Sequence, residues 1–256
     1  MKKKIVSFRI VLLLLCCSNL LFVSKSFSQD FHLSQFDAFA QYLNPAMTGM
    51  FDGDYRVNVQ TRRQWASVIP NPFVTTCVGF DMPHFNLLPN PKLKKIKIGG
   101  YIINESAGSS KFNTFNFALS GAYDIAIKQS NHHILMGLQL GFINKSISTS
   151  ALNFGEQYNS SANNNSGGFN TTLPSGESFN GKSISAADIN FGALYYYGNV
   201  KSRLNPFIGG TVFHINQPKE QFLGDNNRLP MRFNINGGTK INISRQWFLL
   251  LLPKAN

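Results

Sequence analysis

The chain has 256 residues and a formal net charge of +12, with 14% charged and 43% hydrophobic residues. Lys2, Lys3, Lys4, Arg9 and Lys25 lie in the first 28 positions with no acid among them, so residues 29–256 carry only +7. The dense basic run Lys92, Lys94, Lys95 and Lys97 sits behind Pro89 and Pro91, where a solvated turn explains it more simply than a phosphate-binding patch; no nucleic-acid partner is expected. Of three cysteines, Cys16 and Cys17 fall in the same leader, leaving Cys77 alone, which excludes an intramolecular disulfide framework.

In chain order, residues 1–28 read as a secretory signal peptide. A basic start precedes the apolar stretch 10–23, and Ser26-Phe27-Ser28 offers the small residues a signal peptidase requires, with Gln29 as the mature N-terminus. A retained helical anchor is the rival reading, but Cys16, Cys17, Ser18 and Asn19 interrupt a run already short of the ~20 residues a span needs. Residues 29–54 read as an N-terminal periplasmic or rim segment. Leu33, Phe36, Ala40 and Leu43 fall at helical spacing, and Asn44-Pro45 should stop that helix. Packing at the rim, packing in a lumen, and simple capping of the first strand all fit this spacing.

Residues 55–256 read as a transmembrane β-barrel, because the hydrophobic period becomes two. Phe115, Phe117, Leu119, Tyr123, Ile125 and Ile127 share one face, and Asn116, Ala118, Ser120, Ala122 and Asp124 share the other. Ile134, Met136, Leu138, Leu140 and Phe142 likewise alternate with His133, Gly137, Gln139 and Gly141. An average soluble strand has about five or six residues, so alternation this long suits a tilted bilayer crossing better. About nine strands are expected, near 55–65, 73–82, 96–104, 112–127, 132–144, 186–197, 205–215, 230–243 and 245–252. The opposite face carries Arg, Lys, Asn, Gln and small residues, as a polar lumen would. Aromatics such as Tyr55, Phe73, Tyr101, Phe142, Tyr195, Tyr196, Phe213 and Phe233 near strand ends suggest interfacial girdles. Stretch 145–185, rich in Asn, Ser and Gly, reads as a mobile external loop.

The fold class is therefore all-β: an antiparallel outer-membrane β-barrel with a short N-terminal helical or irregular segment. An odd strand count and the loss of alternation after Arg245-Gln246-Trp247 point to a barrel incomplete at its C-terminus, with a hidden tenth strand as the alternative.

No catalytic, cofactor or metal site is expected. The sequence holds no Gly-x-Ser-x-Gly elbow, a single cysteine outside the leader cannot build a thiolate zinc site, and the adjacent His132 and His133 point to opposite faces of a strand. Asp52-Gly53-Asp54 is too short for a calcium loop. Two classes of function remain: a protein-interaction barrel of unknown partner-binding residues, and a passive diffusion porin. In the porin, Arg56, Arg62, Arg232 and Lys240 on polar strand faces would favour anions.

Ser34-Gln35-Phe36, Tyr42-Leu43-Asn44-Pro45-Ala46, Gly49, Arg56-Val57-Asn58 and Arg63-Gln64-Trp65 resemble the PorP/SprF-like membrane proteins of the type IX secretion system. The resemblance continues in order through Asn104-Glu105-Ser106-Ala107-Gly108, Leu152-Asn153-Phe154-Gly155, Asp188-Ile189-Asn190-Phe191-Gly192 and His214-Ile215-Asn216-Gln217-Pro218. It implies an outer-membrane barrel of Bacteroidetes-type cells, exported by its signal peptide. Its implied role is secretion or surface attachment of client proteins with type IX C-terminal signals, including gliding adhesins. Implied partners are outer-membrane lipid, those clients and other secretion-system components. The departure is at the C-terminus, where such proteins usually run on for more strands.

Overall fold

The computed structural model describes residues 36–84, 95–108, 112–127, 130–148, 152–160, 167–176, 183–199, 201–220, 227–242, 248–251 and 254–255. The expected signal peptide, Lys92 and Lys94 lie outside the described residues, as do parts of the 145–185 loop and of the C-terminal tail.

Eight long strands form one curled antiparallel sheet, an incomplete β-barrel: β1 (Arg56–Gln64), β2 (Phe73–Met82), β3 (Ile96–Ala107), β4 (Phe112–Ala126), β5 (His132–Ser146), β8 (Ser183–Tyr197), β9 (Leu204–Phe213) and β10 (Arg232–Asn242). Between β5 and β8 lies a separate hairpin, β6 (Tyr158–Asn159) with β7 (Gly168–Phe169). Two short pieces, β11 (Phe248–Leu251) and β12 (Lys254–Ala255), both pair with β10. Each long strand pairs with its sequence neighbour, so β1 ends the order on one side and β11 on the other.

Period-two patterning determines the two faces. Along β1 the burial alternates without a break, and Val57 (61% exposed) and Val59 (70%) point outward while Asn58 and Gln60 point in. Leu119, Leu138, Leu140, Ile208, Phe233 and Ile235 continue this exposed outer face. An apolar surface of that extent is not left to water in a soluble protein. Among the described residues no helix is long and apolar enough to cross a membrane, and the exposed apolar face belongs to the strands.

The strand bounds expected from alternation agree with those observed to within about three positions, and three particular readings change. β9 stops at Phe213 and not at 215, because His214 takes a positive φ of 57° and turns the chain inward. The 145–185 stretch contains the β6–β7 hairpin. There Asn170 N–H donates to Gln157 O and the Gln157 amide donates to Leu173 O, with Tyr158 edge-on to Phe169. Finally, Tyr101, Tyr196 and Phe213 are not girdle residues. Tyr101 and Phe213 are buried inside the sheet, and Tyr196 faces inward to stack on His133.

The segment preceding β1 runs through a 3-10 turn (Phe36–Phe39), one α-helical turn (Ala40–Leu43) and a second 3-10 turn (Pro45–Met47). The helix ends at Asn44-Pro45 as proline requires, since a prolyl ring disfavours helical geometry in the residue before it. Residues 39–48 are all buried. Ala40, Ala46 and Met47 form one apolar cluster with Leu135, Leu194 and Phe207 from the inner faces of β5, β8 and β9. The N-terminal segment is thus the core of the fold.

Candidate functional site: the filled interior

The strand register lines the inward side chains up in rows. One row runs Arg56, Asp81, Gly99, Ser120, Gln139, Asn190 across six successive strands. Every residue in it is polar or glycine. The next row toward the tight 127–131 connection runs Lys97, Ala122, Gly137, Gly192, Thr211, Asn234. Its middle is small and its ends are polar.

Segment 39–49 fits both rows. In the first, Gln41 Nε2 donates to Phe80 O (3.1 Å), Ser120 Oγ donates to Gln41 Oε1 (3.1 Å), and Gln139 Nε2 donates to Gln41 O (3.2 Å). Gly49 N–H donates to Asp81 Oδ2 at 2.8 Å. Gly49 itself sits at φ +64°, a left-handed turn with no room for a side chain against Met82 and Pro83. In the second row, Gly137 and Gly192 let the chain lie directly on the sheet. A Cβ at Gly137 would overlap the Pro45–Ala46 backbone, and one at Gly192 would overlap the Asn44 amide. Lys97 Nζ donates to Gly49 O, while Thr211 Oγ1 and Asn234 Nδ2 both donate to Leu43 O.

Asn44 is the hub of the insert. Its Oδ1 accepts from Ala46 N–H and so caps the Pro45–Met47 turn. Its Nδ2 lies 3.0 Å from Asn236 Oδ1 and within hydrogen-bonding reach of Ala193 O and Gly210 O, touching three strands at once. Buried polar atoms of this kind are satisfied only if the whole arrangement forms together.

A second insert enters from the opposite end of the strands. After His214, Asn216 bonds both the Ile189 N–H and the Ala187 carbonyl of β8, and the chain turns at Pro218 into a hairpin closed by Leu229 N–H to Pro218 O. Glu220 pairs with Lys145 over a small cavity lined by Ile143, Ile184 and Ala186. His214 is 3% exposed; its Nδ1 is 2.8 Å from Asp188 Oδ1, and its N–H donates to Asn190 Oδ1.

The four cations on polar strand faces have partners, Arg56 and Arg232 within this packing, Lys240 on the exposed Asp52 and Arg62 on its own strand. Arg56 makes a two-pronged pair with Asp81, Arg232 lies over the Phe213 ring (4.2 Å) and near Tyr42, Lys240 pairs with Asp52, and Arg62 donates to Gln64. His132 and His133 do diverge: His132 meets Tyr195 and Tyr197, whereas His133 meets Asp124 and Tyr196. Among the described residues no group of His, Cys, Asp and Glu could hold a metal ion.

Sequence reading singled out Tyr42-Leu43-Asn44-Pro45-Ala46, Asp188-Ile189-Asn190-Phe191-Gly192 and His214-Ile215-Asn216-Gln217-Pro218 as separate motifs. The structure brings them together as the inner insert, its floor and the outer insert. Missed were the bridging roles of Ser120 and Gln139, each of which reads only as one polar residue in an alternating pattern, and of Gln41, which reads as one polar residue in the short helical segment.

No curated protein and no solved structure matches the chain. A family model described as type IX secretion system membrane protein PorP/SprF matches residues 25–256, nearly the whole chain. The chain therefore belongs to the PorP/SprF family of type IX secretion system membrane proteins.

Proposed function

We propose that this protein sits in the outer membrane as a non-catalytic barrel and supports the secretion or surface attachment of client proteins, gliding-type adhesins included. The observation that carries the reading is the interior. Residues 39–48 are buried inside the sheet and use its polar groups, so the surfaces left for work are the loops and rims. The outer face is apolar in the manner of strands that meet lipid. Family membership supports a role among secretion components, and the partners we assign are outer-membrane lipid, secreted proteins with type IX C-terminal signals, and other secretion-system components.

Outward loops are the natural place for a client to be held, since rigid scaffolds present binding residues on their connections. The β6–β7 hairpin exposes Tyr158 (53%) and Phe169 (51%) on one such connection. Deleting residues 158–176 should release a client into the medium while leaving the barrel in the membrane fraction. Affinity capture from detergent-solubilised membranes should recover that client with the intact protein and not with the deletion. Stepwise conductance of the purified protein in planar bilayers, together with normal secretion in its absence, would replace this reading with a diffusion porin.

A further inference from the structure

The two inserts come from opposite ends of the strands, yet they meet on the same pair of side chains. Gln139 Nε2 donates to Gln41 O in the inner insert, and Gln139 Oε1 accepts from Asn190 Nδ2 at 3.0 Å. Asn190 Oδ1 in turn accepts from His214 N–H at the root of the outer hairpin, and its Nδ2 also lies 2.9 Å from Asp188 Oδ2. Asp188 Oδ1 meets His214 Nδ1. Gln139 is 0% exposed and Asn190 2%, so water does not substitute at either. A second link runs beside this one, where Arg232 lies between the Tyr42 ring of the inner insert and Phe213 beside His214.

An amide has one orientation at a time. If the hairpin lifts and His214 leaves Asn190 and Asp188, Asn190 Oδ1 and Asp188 Oδ1 lose those buried partners, and Asn190 is held only through its Nδ2 and must shift to recover one. Gln139 is held by Gln41 O, Asn190 Nδ2 and the Tyr101 hydroxyl (3.3 Å), so it follows a shift of Asn190 only by giving up its bond to the buried Gln41 carbonyl of the inner insert. Buried polar networks are high-stakes in this sense: partial loss costs more than the single bond removed.

From this geometry we propose that the outer hairpin and the inner insert are one coupled unit, so that a load on the hairpin at one end of the strands is transmitted through Asn190 and Gln139 to the segment at the other end. The chain thereby acts as a relay across the sheet as well as a scaffold. The relay needs no particular client and stands apart from the functional reading above.

Hydrogen exchange on the full mature protein in detergent tests it. Glu220→Ala removes the Lys145 pair at the hairpin, far from residues 40–50. Exchange in 214–229 should rise, and exchange in 40–50 should rise with it by about fivefold, the low end of ordinary coupling between sites. Coupling is reciprocal, so Gly137→Ala, which displaces Pro45–Ala46, should speed exchange in 214–229. In a Gln139→Leu background, Glu220→Ala should affect the hairpin alone. Lys145→Met covers the event that Gln139→Leu does not fold: it removes the same pair from the strand side, and exchange in 214–229 and in 40–50 should rise together. Acceleration confined to 214–229 in the Glu220→Ala protein or in the Lys145→Met protein would overturn the relay.

Discussion

Asn44 Nδ2 donates to Asn236 Oδ1 at 3.0 Å, joining residues 192 positions apart in the chain. That bond ties the last turn before Pro45 to the eighth long strand. The same side chain caps the turn at Ala46 and touches carbonyls of β8 and β9, so one residue fixes where the N-terminal segment lies across three strands.

Asn44→Leu should therefore be among the most damaging single substitutions. It leaves Ala46 N–H and Asn236 Oδ1 buried without partners, at about 1–3 kcal/mol each. Denaturant unfolding in detergent should show a lowered midpoint, while a Leu substitution at the half-exposed Tyr158 should leave it unchanged.

Gly137→Ala tests the inner insert by shape alone. Its Cβ would overlap backbone atoms of Pro45 and Ala46, which cannot swing aside as a side chain would. Limited proteolysis should then cut within residues 36–50, which the native protein protects. Gly121→Ala, whose nearest neighbour would be Lys97 O at 3.9 Å, is the matched control and should resist proteolysis like the native chain.

Arg56→Met should destabilise more than Asp81→Asn. Asp81 is fully buried, so removing the cation strands a carboxylate away from water with only the Gly49 N–H beside it, and breaking a buried pair in this way costs about 3–5 kcal/mol. Asp81→Asn keeps an amide oxygen for Gly49 N–H and leaves a guanidinium that is 24% exposed and still lies over the Phe51 ring. Paired unfolding curves in detergent would order the two variants.

Leu138→Arg probes the outward face. Leu138 is 50% exposed on β5 opposite Phe191, near the middle of a fifteen-residue strand. Arginine at the bilayer midplane costs about 2–4 kcal/mol, so the variant should insert poorly into lipid vesicles yet tolerate detergent better. Equal insertion of native and variant chains would argue against strands that cross a membrane.

Mature protein should begin at Gln29 and fractionate with outer membranes, as measured by N-terminal sequencing of the membrane-bound form. Protease added to intact cells should nick the 145–185 connection and spare the strands; cleavage only in broken cells would reverse the orientation.

Everything carried by local alternation was legible in the amino-acid order alone. Because side chains alternate faces at every residue of a strand, Leu119 and Leu138 on the apolar face with Ser120 and Gln139 on the polar one could be read directly, and strand bounds followed to within a few positions. The helical turn ending at Asn44-Pro45 was legible for the same local reason. The use made of the inward face emerged only from the folded arrangement. A row of Asp81, Ser120, Gln139 and Asn190 suits a wet lumen as well as it suits a buried segment, and only the register that aligns them across β2, β4, β5 and β8 shows their hydrogen bonds spent on Gln41, Gly49 and His214. Gly137 and Gly192 make the same point. In sequence each is a small residue in an alternating strand, and only their pairing opposite one another creates the place where Asn44-Pro45-Ala46 can lie, because close backbone approach depends on two chains and period-two patterning reports on one.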